Sequence, residues 1–295
     1  MGLATKKHTD HYVPRFYLNE FAAKTNRRRA PSVWLYDKEN PAPRLVATSR
    51  IAKIKNLYSL EQDGSIDDSL DDALKHVESE AAPLFRSLRT EQVSFIDLKK
   101  RYIFGRFVCF LACRIPQFRR NISILFQNRM KSRFVEALNK AGGQESLLRK
   151  LDRNTGQSWT AAEFLDWFNR MKIELKPGPF QYVLLESAMR MIPPFCSMNW
   201  HFLKSDSDKY FVTSDAPVVM YNPEAPNASI RYGYLQKTIE IIFPVNKSLC
   251  LIACWTGREG YYFVNKDVVQ EMNEKVGDAA ERYLFSPVRC DITVC

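Results

Sequence analysis

The chain has 295 residues, 45% hydrophobic and 26% charged, with a formal net charge of +10. That balance is that of a soluble globular protein with enough length to bury a sizeable core. The most apolar run, YIFGRFVCFLAC at 102–113, is twelve residues long and carries Arg106, which excludes a membrane span there.

Residues 1–9 read as a polar arm with no apolar signal core, and Lys6 occupies the position where a myristoylation pattern needs Ser or Thr. Pro14 suits the first position of a helix, with Tyr17, Leu18 and Phe21 at helical spacing after it. A β-hairpin is expected around 33–49, where VWLYDK and PRLVATS flank the turn-like ENPA, and NLYSL at 56–60 reads as a further short strand. From about residue 66 the spacing predicts a helix with an apolar face of Ile66, Leu70, Ala73, Val77, Ala81, Leu84 and Leu88, kinked or broken at Pro83. Ser94 and Asp97 form a capping-box-like start for a helix to about Arg114.

Three more helices are expected. One spans Ile122 to Leu138 and closes at Gly142-Gly143; one is capped by Thr160 and Glu163; one runs from Pro179 to Pro193-Pro194. MNWHFLKS and KYFVTSD then read as a hairpin, and TIEIIFPV, SLCLIACW and YYFV as strands. NKDVVQEMNEKVGDAAERYLF reads as a single helix. The expectation is one α+β domain over 1–295, with a helical middle at about 66–194 and a β-rich part at about 196–295 that ends in an antiparallel sheet with one late helix.

Charge is unevenly spread. Residues 98–135 hold ten Lys and Arg and no acid, whereas 61–80 hold eight acids and one lysine. Such asymmetry indicates either a polyanion partner or an internal match between acidic and basic helices. The seven cysteines, with no signal peptide, read as reduced thiols in the cytoplasm. The pairs Cys109/Cys113 and Cys250/Cys254 have no histidine at zinc spacing and read as packing residues.

HYVPRFYLNEF at 11–21 resembles the opening of a largely bacterial family, domain of unknown function 4238. In order after it come NLYSL, HVESEAAPLFRSL, CRIPQFRR, NWHF, FVTSDAPVV, FPV and NEKVGDAAERYLFS, so the resemblance covers nearly the whole chain. The family often opens on two adjacent histidines, where this chain has Asp10 and His11. The resemblance implies important positions rather than a mechanism.

Four residues are candidates for a catalytic site: His11, Glu78, Arg114 and Asp215. His11 is either a general base, metal ligand or phosphate contact, or a residue that pins the arm by bonding backbone. Asp215 ends the strand YFVT, where a carboxylate serves as base or metal ligand or else caps the turn. Glu78 lies beside the apolar stripe, with Arg114 its natural ion partner. If all four converge, they could support acid-base or divalent-metal-assisted phosphodiester cleavage. IELK at 173–176, with Asp166 upstream, has the E-x-K core of a restriction-type nuclease but falls in a helical pattern. Walker, G-x-G-x-x-G, H-E-x-x-H and G-x-S-x-G motifs are missing from the sequence.

Lys99, Lys100, Arg119, Arg120, Arg129, Lys131 and Arg133 are the candidate nucleic-acid contacts, interleaved with Phe118, Phe126 and Phe134. The phenylalanines are either core residues or base-stacking platforms. The expected function is a cytoplasmic DNA- or RNA-binding protein, extending to a nuclease of the toxin or phage-defence kind. The alternative is a non-catalytic regulatory module whose basic surface meets an acidic protein; a membrane partner is not expected.

Overall fold

The computed structural model describes residues 9–23, 30–62, 65–89, 93–94, 97–140, 143–156, 158–172, 176–206, 208–225 and 233–289. Its contacts divide the chain into two compact units, Met1–Ile115 with Pro177–Cys295, and Pro116–Lys176. The secondary structure is α+β. Among the described residues no helix is long and apolar enough to cross a membrane.

The first unit opens with β1 (Thr9–His11) and the short α1 (Arg15–Leu18), which runs on as one 3-10 turn at Asn19–Phe21. Pro14 caps this helix rather than occupying its first position. Its aromatic face is anchored hard. Tyr17, Leu18 and Phe21 are fully buried, and the Tyr17 hydroxyl donates to the Pro244 carbonyl oxygen at 2.7 Å while sharing a hydrogen bond with Thr213 Oγ1 at 2.7 Å. The expected hairpin forms as β2 (Ser32–Asp37) and β3 (Asn40–Ala47), antiparallel. β4 (Lys53–Lys55) pairs with β1, and β5 (Leu60–Gln62) with β6 (Ser65–Asp67). NLYSL is therefore mostly a turn, with only Leu60 in a strand.

The helix α2 (Ser69–Ser87) continues unbroken through Pro83. Its buried stripe is Leu70, Leu74, Val77, Ala81 and Phe85. Leu70, Val77, Ala81 and Leu88 are buried as expected, while Ala73 is exposed and Leu84 half-buried, with Leu74 and Phe85 taking their places on the core face. In α3 (Leu98–Arg114) the N-cap is Asp97 itself, accepting from the backbone N–H of Lys99 and Lys100, rather than Ser94. After the second unit, α7 (Pro177–Ser197) packs along α3 and runs through Pro193-Pro194 instead of stopping there.

The strands that follow are β7 (Asn199–Ser205), β8 (Thr213–Ser214), β9 (Val219–Tyr221), β10 (Glu240–Asn246), β11 (Leu249–Cys254) and β12 (Gly260–Val264). All of these but β8 form a five-stranded sheet in the order β12-β7-β11-β10-β9, antiparallel except for the parallel pair β12–β7. Their β-branched and aromatic content fits this half-buried pleated surface. The expected 199–215 hairpin does not form, because β8 joins a different sheet, β3-β2-β13-β8, with β13 at Tyr283–Ser286. The helix α8 is shorter than expected: it covers Lys266–Ala279, and Tyr283–Ser286 form β13 instead. An aromatic core of Tyr17, Phe85, Phe104, Phe107 and Phe243 joins the helices to β10, with ring centroids 5.1–6.5 Å apart.

The second unit comprises α4 (Pro116–Asn139), α5 (Gly143–Thr155) and α6 (Ala161–Arg170). Gly143 opens α5, a helix the sequence reading passed over. Thr160 and Glu163 form the expected capping box on α6. Phe134 packs between Phe164 and Phe168 with both centroids at 4.8 Å, giving this unit its own small core.

Candidate functional site

Three of the four candidate residues meet in the first unit. Arg114, the last residue of α3, is buried, and its guanidinium donates from Nη1 to Glu78 Oε1 at 2.6 Å, from Nη2 to the His11 backbone oxygen at 2.6 Å and from Nε to the Tyr58 hydroxyl at 3.2 Å. Tyr58 in turn donates to the Arg114 carbonyl oxygen at 3.0 Å. Its backbone is tied down by Asp10 Oδ2 and Gln181 Nε2. The cluster thus ties β1, α2, α3 and α7 together, and its Arg–carboxylate pair is charge-assisted.

Burial alone would lower the Arg114 pKa, but Tyr58 and Glu78 push it up, so the guanidinium stays charged. Burial pushes the Tyr58 phenol up to about 12. His11 is held below its ordinary range, first by burial and then by Lys53, its cross-strand partner. Its ring makes a hydrogen bond with the Ser49 backbone, while Nε2 is shielded from solvent and has no hydrogen-bond partner. A neutral imidazole whose other nitrogen bonds backbone leaves Nε2 as a bare acceptor.

Asp215 is not in this cluster. Its two oxygens accept the backbone N–H groups of Glu281, Arg282 and Tyr283 at 2.9, 2.8 and 3.0 Å, and they hold the turn between α8 and β13. Burial still raises its pKa despite these three bonds. Asp215 bears on Tyr12, next to His11, only in pushing its phenol pKa up after burial has done so. Among the described residues no group of three or more His, Cys, Asp and Glu is placed to hold a metal ion.

The basic residues divide between the two units. Lys99 and Lys100 are exposed in the first turn of α3. Arg119, Arg120, Arg129, Lys131 and Arg133 belong to α4. Part of the charge on α3 is matched internally, since Glu78 and Glu80 of α2 pair with Arg114 and Arg106. On α4, Lys131 Nζ donates to the Asn169 carbonyl at 3.0 Å. Arg129 and Arg133 are exposed and have no ion-pair partner among the described residues. Phe126 is 44% and Met130 48% exposed. At spacings of three, four and seven, Phe126, Arg129, Met130 and Arg133 lie on one face of the helix. Of the interleaved phenylalanines, Phe134 and Phe118 are half-buried, Phe134 against Phe164 and Phe168, and Phe126 is outward-facing.

In IELK, residues 173–175 lie outside the described residues, and Asp166 pairs with Arg170 on α6. The sequence reading missed Tyr58, Asp10 and Gln181. Tyr58 had a signal in the NLYSL segment and Asp10 in its place before His11 at the family opening; Gln181 had none at the level of motif.

A family model described as "Protein of unknown function (DUF4238)" matches residues 9–288. No curated protein and no solved structure matches the chain.

Proposed function

The chain belongs to the DUF4238 family of proteins of unknown function, and we propose that this member binds single-stranded nucleic acid through α4. One observation carries the reading: an exposed phenylalanine shares a helix face with two exposed arginines that have no carboxylate partner among the described residues. Base stacking on an aromatic ring and phosphate neutralisation by flanking cations are the two elements of sequence-tolerant single-strand binding. Within Pro116–Asn139 the only acid is Glu136. A cytoplasmic setting belongs to the same reading, in keeping with the free thiols Cys109, Cys113, Cys196, Cys250 and Cys254.

Cleavage is the second reading, and it rests on His11. A neutral imidazole with a bare Nε2 is the form a general base needs. Glu78 and Arg114 act on it as positioning residues, since Arg114 holds the His11 backbone. In the arrangement described, Nε2 is closed to solvent, so binding has the stronger support.

The test is fluorescence anisotropy with labelled single- and double-stranded DNA and RNA, comparing wild type with the double variant Arg129→Glu, Arg133→Glu. Salt-sensitive binding of single strands that the double variant loses supports the reading. Equal binding by both proteins, or none by wild type, overturns it and favours an acidic protein as partner. Gel analysis of the same mixtures, with and without Mg²⁺ and with His11→Ala beside wild type, decides on cleavage.

A further inference from the structure

A cavity of about 470 Å³ opens in the first unit, between the 3-10 turn after α1, the end of α2 and the β10–β11 turn. That volume suits a small ligand. Its walls carry three cations, Arg89, Lys204 and Lys247, and one carboxylate, Glu20. The carboxylate is already occupied: Arg89 donates to Glu20 from Nε at 2.7 Å and from Nη2 at 2.6 Å. Glu20 is buried, so the pair fixes the guanidinium to the wall. A guanidinium has five N–H donors, and the pair uses two of them.

The remaining polar groups on the walls are also donors. Asn19 accepts from Thr48 through Oδ1 at 2.7 Å, which leaves its amide nitrogen as the group still to be satisfied. Ser248 has its backbone N–H held by Asn246 Oδ1 at 2.8 Å, while its hydroxyl has no partner among the described residues. Leu88, Leu249 and the Tyr261 ring supply apolar wall. A cavity whose walls hold more cations than carboxylates, with several unfilled donors, is complementary to an anion with many oxygen acceptors.

We propose that this cavity binds a small ligand through a phosphate monoester or diphosphate group, with Lys204, Arg89 and Ser248 as its contacts. The site lies in the first unit and is independent of the α4 reading.

Isothermal titration with inorganic phosphate, pyrophosphate, a nucleoside diphosphate, and 5′-phosphorylated and 5′-hydroxyl oligonucleotides tests it. The proteins are wild type, Lys204→Glu, Ser248→Ala and the double variant Arg129→Glu, Arg133→Glu. Saturable binding of a phosphate compound is expected, weakened about tenfold or more in Lys204→Glu, the scale of one charge-assisted hydrogen bond. Ser248→Ala weakens it less, and the α4 double variant retains it. Lys204 is exposed, so its replacement leaves the fold intact. Tighter binding of inorganic phosphate, of the nucleotide or of the 5′-phosphorylated strand identifies the source of the phosphate. No binding by wild type to any of these, or equal binding by Lys204→Glu, overturns the proposal.

Discussion

Glu78 Oε1 lies 2.6 Å from Arg114 Nη1, so an acid of α2 neutralises a cation buried at the end of α3. Removing one partner of such a pair leaves a charge with nowhere to go. Glu78→Ala should therefore destabilise the first unit by roughly 2–4 kcal/mol, somewhat below the range for a sealed pair because Glu78 is partly wet. Glu78→Gln, which keeps an acceptor oxygen, should lose less. Urea denaturation of the three proteins checks both statements.

The His11 imidazole is held below its ordinary pKa of 6.5, chiefly by burial. The folded state thus disfavours the protonated ring, while the unfolded chain takes up the proton freely. Its contribution to stability is complete above pH 6.5 and is lost as pH falls through the lower folded value. The Tm of wild type should fall as pH drops below 6.5 and level off below the folded value, and that of His11→Gln should fall less steeply. Parallel curves for the two proteins would refute this.

A Cβ on Gly105 would stand 2.6 Å from Cys196 Sγ and 3.3 Å from Phe195 Cδ1, so the absence of a side chain there sets how closely α3 and α7 approach. Gly105→Ala should cost about 1–3 kcal/mol through overpacking. Adding Cys196→Ala removes the nearer atom and should recover part of the loss. Thermal denaturation of the single and double variants measures the coupling.

Asp215→Ala strips the acceptor from three backbone N–H groups at 281–283. The loss should be about 1–3 kcal/mol, since these half-buried donors lose a charged acceptor. Hydrogen exchange should quicken at β13 before it changes in α4–α6, which form a separate unit.

On α4 the two kinds of contact separate by salt. Phe126→Ala should weaken single-strand binding by about 1–3 kcal/mol with little change in salt dependence. Arg129→Ala with Arg133→Ala should flatten the plot of log affinity against log salt by about 1.4, the value for two single-strand phosphates. Anisotropy titrations across a salt series report both.

These sites were unequally legible in the amino-acid order. Strand identity at β10–β12 and the turn at β2–β3 follow from local composition, because β-branched and aromatic runs bounded by turns specify themselves. Partner choice does not. Residues 209–212 have the composition of a strand, yet the Asn273 side chain takes the place of a neighbouring strand, accepting from Val212 N at 3.0 Å and donating to Tyr210 O at 2.9 Å. The apolar spacing of α8 continues to Tyr283, yet Asp215, far away in sequence, captures the N–H groups that another helical turn would have used. The Glu78–Arg114 pair was readable from one half-buried acid on an apolar face. The cavity beside Arg89 was not, since its walls come from five separate stretches of chain.

The pairing of β2 with β13 joins segments about 245 residues apart, a separation also spanned by the Arg282–Asp37 ion pair. A ribosome adding about 5–20 residues per second takes roughly 12–50 s to cover that distance. For that interval the nascent β2–β3 hairpin has no β13, and Leu35 and Tyr36, both buried in the finished protein, stay uncovered. The helical unit at Pro116–Lys176 is synthesised within that interval and can fold during it, because the rings that pack together in it, Phe134, Phe164 and Phe168, lie close in sequence. On the ribosome, therefore, the inserted helices can complete their fold before the sheet that begins the chain does.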